Sequence, residues 1–455
     1  MDEAQRDAAT PSDVLVPADF EIEPVVRGLT FPSGVTFDDR GVVYVVESGY
    51  SYGETFATAR LLRVEPDAST HVVATGTNGP WTGVSFHAGN FYVSEGGQSE
   101  GGRILRITPS GERRVLVEGL PGQGDHHTNG PVVSPDGWVY FGQGTATNSG
   151  VVGPDNAKLG WLGRHPDVHD VPCRDVHLRG VNFESDNPLE SGERRVTTGA
   201  YVPYGTPSTA GQLVDGRLPC SGAVLRVRAD GGPLELVAWG LRNPFGLAFD
   251  AKGALFVTDN GADERGSRPI FGSADALYRV EPGAWYGWPD HSEGRPLAHD
   301  RYAPPGGPQV LDLIDPDPGV PPRPVAYLPV HASADGFDIS RSASFGYVGQ
   351  AFVALFGDQS PEVGKVLGPV GFKVIRVNLE TGVSYDFALN RGDESGPASL
   401  LGSGGLERPI AARFDPRGAA LYVVDFGVLA VKDGKFEPRP STGSLWKIRR
   451  TGAPR

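Results

Sequence analysis

The stretch Phe-Pro-Ser-Gly-Val-Thr-Phe-Asp-Asp-Arg-Gly-Val-Val-Tyr-Val, residues 31–45, decides the fold because it returns. It comes back as Asn-Pro-Phe-Gly-Leu-Ala-Phe-Asp-Ala-Lys-Gly-Ala-Leu-Phe-Val at 243–257. It comes back again as Arg-Pro-Ile-Ala-Ala-Arg-Phe-Asp-Pro-Arg-Gly-Ala-Ala-Leu-Tyr-Val at 408–423. Looser copies lie at 79–93, 126–141 and 331–356. Each copy reads as a short apolar strand, an Asp/Gly turn and a second apolar strand, the pattern of a β-hairpin. Most are followed by a third apolar run, such as Leu-Leu-Arg-Val at 61–64 or Val-Ile-Arg-Val at 374–377. A unit of this kind cannot bury both its faces alone and has to pack on its neighbours. Six four-stranded units packed radially make an all-β, six-bladed β-propeller.

The totals agree with that reading. The 455 residues include 64 Gly and 40 Pro, yet 39% are hydrophobic, with 7 Trp and 21 Phe. In a disordered chain so much Gly and Pro would come with few apolar residues. Here they are turn chemistry between many short strands. A net charge of −14 has the wrong sign for a nucleic-acid binder. No stretch of 18 apolar residues exists, so no membrane span is expected.

Along the chain, residues 1–19 read as a disordered lead-in without the apolar run of a signal peptide. Residues 20–450 read as one propeller domain, with the strand at 20–30 placed to pair with the last blade and remove an open edge. Residues 147–222 break the repeat and are too long for a blade connection, so a large loop insertion on one face is expected. Shorter excursions fall at 262–274 and 290–325. The only two cysteines, Cys173 and Cys220, each follow a proline and bracket most of the insertion. A disulfide between them is expected, and with it an oxidising compartment, periplasmic or secreted.

Superimposing the repeats shows what precedes each innermost strand, where side chains face the mouth of the central channel. Repeat three offers His126, His127 and Asn129; repeat four, Arg242 and Asn243; repeat five, His331; repeat six, Arg408. Repeats one and two offer Phe31 and Trp81, the latter a surface on which a ring could stack. Convergent polar groups at one concavity are the usual mark of a small-molecule site. A histidine there can take up a proton near neutral pH, and arginines can hold carboxylates or developing negative charge. Trp81, His127 and His331 are the candidate substrate contacts.

Several segments together resemble the soluble PQQ-dependent glucose dehydrogenase and sorbosone dehydrogenase family. They are Asp125-His126, Gly-Leu-Arg-Asn-Pro-Phe-Gly at 240–246, Asp-Asn-Gly at 259–261, Tyr-Gly-Trp-Pro at 286–289 and Arg408-Pro409. The resemblance runs from about residue 20 to the C-terminus and is strongest over 223–290. It implies a quinone cofactor, PQQ, with calcium at the channel mouth, and oxidation of a sugar, polyol or related aldehyde. It implies His126 as the base that takes the hydroxyl proton. It implies Arg242, Asn243 and Arg408 as cofactor contacts, and Gly261 and Ala262 as carbonyl ligands of calcium. The family's acidic pair appears here as Asp275-Ala276-Leu277, and Asp263 and Glu264 are the carboxylates available in its place. Lys365 is the nearest counterpart of the family's lysine. The partners implied are a sugar or polyol and an electron acceptor, with the protein a monomer or homodimer.

Two other readings compete. One is a propeller without cofactor that serves as a ligand-binding module. The other is a metal-dependent propeller lactonase, for which Glu47, Glu95, Gln143 and Asp259 would have to point down the channel. The run His165-x3-His169-x3-Cys173-x3-His177 has metal-ligand spacing, but Pro166 and Pro172 interrupt the helix it needs.

Overall fold

Each quoted phrase folds as two antiparallel strands closed by its aspartate. In blade one, Pro32–Phe37 pairs with Val43–Glu47, and Asp38 accepts hydrogen bonds from the backbone N–H groups of Arg40 and Val42. Asp250 does the same for Lys252 and Ala254, and Asp415 for Ala419 and Ala420. A short side-chain acceptor that satisfies its own turn explains why Phe-Asp recurs at these tips.

The computed structural model describes residues 9–189 and 195–452, and in it six sheets form a β-propeller. From the channel outward, blade one continues through Ala59–Val64 and Thr70–Gly76. Blade two runs from Trp81–His87 to Arg113–Leu120, and blade three from Thr128–Val133 to Glu235–Trp239. Blade four runs from Pro244–Phe249 to Ala326–Val330, and blade five from Ala334–Ile339 to Ser384–Asn390. Blade six has Pro409–Phe414, Ala420–Asp425 and Gly443–Arg450, and its outermost strand is Phe20–Leu29 from the other end of the chain. The expected edge closure is therefore present. Three short helices are the only α-helices among the described residues.

The lead-in differs from expectation. Val14–Leu15 pairs with Leu389 and Asn390 as a fifth strand on blade five, after a 3₁₀ turn at Pro11–Asp13. The apolar pair Val14-Leu15 reaches an open strand edge, which a composition argument could not see. Residues 1–8 of that lead-in lie outside the described residues.

The inner strands come very close together because glycine recurs at one level: Gly34, Gly83, Gly130, Gly246 and Gly336, with Ala411 in blade six. A Cβ on Gly83 would run into the Gly130 carbonyl, and one on Gly336 would lie 2.9 Å from the Cα of Ala411. Hydrogen bonds tie neighbouring blades beside this ring: Thr82 donates to the Thr128 carbonyl (2.6 Å) between inner strands, and Thr258, on the second strand of blade four, donates to the Asp335 carbonyl (2.8 Å) on the inner strand of blade five. The core lies between the blades, as in the cluster of Phe345, Phe352, Phe387, Phe414 and Trp446 where blades five and six meet.

The insertion 147–222 leaves blade three between its second and third strands. It carries two short helices, Pro154–Lys158 and Trp161–Arg164, and two small strand pairs. Cys173 and Cys220 are disulfide-bonded within it. Asp170 fastens its base, accepting from the Ala146 N–H and the Thr147 hydroxyl. Asn148 joins it to the excursion at 262–274 by donating to the Asp263 carbonyl. Both segments roof the same end of the channel.

Candidate functional site

At that end the propeller holds a cavity of about 400 Å³. Blades three to five supply most of its polar wall, the insertion and the 262–274 excursion its roof, and Tyr52, Phe245, Phe426 and Phe436 its aromatic lining. His126, His127, Arg242, Asn243, Gly261, Asp263, Glu264 and His331, all candidates from the sequence, line it together.

The two histidines precede Thr128–Val133. His126 Nδ1 lies 2.9 Å from the Thr145 carbonyl, and His127 Nδ1 lies 3.1 Å from the Gly122 carbonyl. A carbonyl oxygen only accepts, so both Nδ1 atoms carry the proton and both Nε2 atoms present a lone pair. His126 Nε2 lies 3.8 Å from the Asp125 carboxylate. His127 Nε2 is buried without a partner. Burial, reinforced by the charges of Arg242 and Arg265, holds the His126 pKa well below its ordinary value, and burial holds His127 at about 4. Both rings are therefore neutral at neutral pH. Gly144 makes room for His126, since a side chain there would meet its Cβ.

Arg242 and Asn243 are set by Asp259, whose carboxylate accepts both of their backbone N–H groups. The Arg242 guanidinium binds Asp263 at 2.8 Å and Asn148 at 2.9 Å. Asn243 accepts from Asn129 and donates to Asn260, which donates to the Ala334 carbonyl, so an amide chain crosses three blades. His331 has φ +62°, a backbone setting that a non-glycine residue rarely holds and that clusters at functional sites. Its ring stands 3.5 Å from Glu264 and 3.8 Å from Asp263.

Arg265 is a site residue that repeat superposition missed. Its guanidinium is held by Asp125, by Asp155 at 2.7 Å and by Asp263 at 3.0 Å, linking blade three, the insertion and the excursion. It belongs to no repeat, so no equivalent position could flag it. The signal available was its place in a charged run, Asp263-Glu264-Arg265, inside a loop already marked as an excursion. Asp335, buried on the innermost strand of blade five, was missed as well.

Four assignments are corrected. Trp81 is 0% exposed: its indole packs against Gly76, and its Nε1 donates to Glu95 at 3.0 Å, so it offers no stacking surface. Arg408 is 4% exposed and does not line the cavity. Its guanidinium donates to the carbonyls of Gly357, Asp358 and Leu429 and lies between the rings of Phe356 and Phe372, which makes it a strut between blades five and six. Ala262 lines a small separate cavity instead of the mouth, and its N–H donates to Ser273. Lys365 is exposed and away from the cavity wall.

The metal readings find little support among the described residues. Asp263 is engaged by Arg242 and Arg265, and no group of three or more His, Cys, Asp or Glu side chains is arranged to hold a metal ion. The 165–177 run holds none either, since Cys173 is in the disulfide and His169 bonds the Asp167 carbonyl. The carboxylates required for a lactonase are engaged with their own blades: Glu47 by Thr30 and Arg60, Glu95 by Asn78, Trp81 and Arg103, and Asp259 as above. Gln143 accepts from Thr128.

Residues 214–318 match the glucose/sorbosone dehydrogenase family model, which bears out the resemblance over the blade-three to blade-four segment that carries Arg242 and the Tyr-Gly-Trp-Pro run. Among curated proteins no match is found. Similar solved structures include the PQQ-bound aldose sugar dehydrogenase of Streptomyces coelicolor, at 16% identity and TM-score 0.54, covering 96% of this chain and 99% of that one. The PQQ domain of Coprinopsis cinerea pyranose dehydrogenase in its holo form gives 17% identity and TM-score 0.55, covering 96% and 97%. The apo-form soluble aldose sugar dehydrogenase of Escherichia coli gives 14% and 0.55, covering 95% and 99%. At these identities the likeness shows the six-bladed fold.

Proposed function

We propose that the protein is a quinone-dependent oxidoreductase that oxidises a sugar, polyol or related aldehyde at the channel mouth. The observation that carries this reading is His126: a neutral imidazole, fixed in its Nδ1–H form, in the wall of a cavity of small-molecule size. The family match over 214–318 and the fold shared with PQQ-bound sugar dehydrogenases favour it.

The cavity suits PQQ, a planar polyanionic quinone, in volume, in its aromatic side and in the cations beside it. Arg242 and Asn243 would hold it. The resemblance calls for calcium beside it; Asp263 is taken by Arg242 and Arg265, which leaves the Gly261 carbonyl and Glu264 as the candidate donors. When bound, such a quinone supplies an electron-poor carbonyl carbon that takes up hydride. The chain's own contribution is to take the hydroxyl proton on His126 Nε2 as the C–H bond breaks, with the Thr145 carbonyl holding the ring in place. Burial, reinforced by Arg242 and Arg265, keeps His126 neutral beforehand. Burial under the insertion excludes water from the proton transfer. The disulfide favours a periplasmic or secreted location. No helix among the described residues is long and apolar enough to cross a membrane.

Adding PQQ and calcium to purified protein tests the reading. A bound chromophore and dye-linked oxidation of an aldose are expected. If neither is seen, the ligand-binding module takes its place.

A further inference from the structure

The loops above the cavity hold one another in two closed circuits, and one ion pair belongs to both. Each loop joins the second strand of its blade to the third: a hairpin of Tyr50–Ser51 with Thr55–Phe56 in blade one, the insertion in blade three, the 262–274 excursion in blade four, the segment 356–372 in blade five, and a hairpin of Leu429–Lys432 with Lys435–Pro438 in blade six. The first circuit starts at the insertion, where Asp155 binds Arg265 of the excursion at 2.7 Å. From the excursion, the Glu264 N–H donates to the Val363 carbonyl of the blade-five loop at 2.8 Å. That loop returns to the insertion through Glu362, which binds Lys158 at 2.5 Å. The second circuit starts at this same pair. The tip of the blade-six hairpin presses on it, since a Cβ on Gly434 would lie 3.0 Å from the Glu362 carboxylate and 3.3 Å from the Lys158 ammonium. The blade-six hairpin meets blade one, with the Phe436 and Tyr52 ring centroids 5.7 Å apart, and blade one returns to the insertion, where Glu54 binds Arg164 and the Tyr52 and Trp161 centroids are 6.4 Å apart. Lys158 and Glu362 both line the cavity, so their pair crosses its entrance and divides it in two.

We propose that the Lys158–Glu362 pair is a crossbar that sets the size of the substrate: the mouth takes a free monosaccharide whole and bars sugars joined in a chain. The volume below the crossbar, about 400 Å³, is near the lower end of the range for small-molecule sites, about 300–1,000 Å³. On the sugar-oxidising reading, on which the proposal rests, a quinone shares that volume, and the sugar then has room for little more than one ring. A second ring would have to pass through one of the two half-openings, each bounded by loops tied to their neighbours. Selection of this kind works by obstruction and needs no added contact with the favoured sugar. The pair is half in solvent, with the Lys158 side chain 56% exposed, so it contributes little to stability and can be removed without loss of the fold.

The experiment compares glucose, maltose and maltotriose, which present the same reducing end and differ in the rings behind it. Purified protein supplied with PQQ and calcium is titrated with each by calorimetry, and kcat/KM is measured alongside. Both should fall from glucose to maltotriose by roughly tenfold or more. Glu362→Ala should bring maltotriose to within about threefold of glucose, with glucose itself little changed. Should that variant melt early, Glu362→Gln, which keeps the bulk and drops the charge, carries the same test through a partial narrowing of the gap. Maltotriose accepted as well as glucose by the parent protein overturns the crossbar and leaves sugar oxidation standing. A gap untouched by removal of the Glu362 charge overturns it too. If none of the three sugars binds, the sugar-oxidising reading and the crossbar fall together.

Discussion

His126 and His127 are adjacent, equally buried and equally fixed in tautomer, yet they differ in what their Nε2 atoms meet. His126 has Asp125 at 3.8 Å and two arginine charges nearby, while His127 has nothing. If His126 is the base, His126→Ala should cut kcat by roughly two to four orders of magnitude, with quinone binding, read by absorbance, retained. Its pKa is pushed down, so the basic form survives acidification and the acid limb of kcat/KM should lie below pH 6.5. A limb at or above that value points to another base. His127 gives a stability prediction whose sign follows from linkage. Its folded pKa of about 4 is below the unfolded value of 6.5, so the unfolded chain binds the extra proton between those values. Stability from this group is therefore full above pH 6.5 and falls as pH drops toward 4, by roughly 3 kcal/mol. His127→Gln should lose less thermal stability than the parent between pH 7 and 4.5; equal losses would show that His127 does not carry this linkage. At this scale the sequence placed His126, Arg242 and Asn243 on one cavity, because repeat position fixes where a strand begins. It misplaced Trp81 and Arg408, because position does not fix which way a side chain turns: Gly76 opened a slot for one and three carbonyls drew in the other.

The strand pairs were legible because each carries its own turn aspartate and its own apolar alternation. The insertion was legible only as an interruption. Its short helices and strand pairs are too brief for periodicity to speak, and its position is set by distant contacts, Asp170 to the end of blade three and Asn148 to the excursion. The Cys173–Cys220 bond closes a segment with sequence separation 47, for which loop entropy suggests about 4 kcal/mol of restraint on the unfolded segment. Cys173→Ser with Cys220→Ser, or mild reduction, should therefore open the 147–222 region to limited proteolysis before the blades unfold. A protease pattern and urea midpoint unchanged by reduction would refute the dependence. Ligand affinity should fall along with the new cleavage, since Asp155 and Lys158 belong to this element.

Over the whole molecule, six blades form a closed ring whose last sheet takes its outer strand from Phe20–Leu29. Val26 and Leu29 of that strand are buried against Leu445 and Phe426, so removing residues up to 29 would bare apolar surface as well as a strand edge. The truncated protein should associate, which light scattering would detect, and should lose several degrees or more of thermal stability. A truncated form that stays monomeric and equally stable would mean the ring does not depend on this clasp. That the ring has six members was legible because the phrase could be counted. The fifth strand that Val14–Leu15 adds to blade five was not, since two residues carry no pattern.

The clasp also imposes an order on biosynthesis. Phe20 leaves the ribosome early, but its partner Arg450 follows more than four hundred residues later. For nearly all of translation the first strand is a sticky end waiting for a mate, while blades one to five can assemble in turn behind it. A chain that stalls before blade six carries that end unprotected, so quality-control factors that grip extended apolar segments would meet it there first.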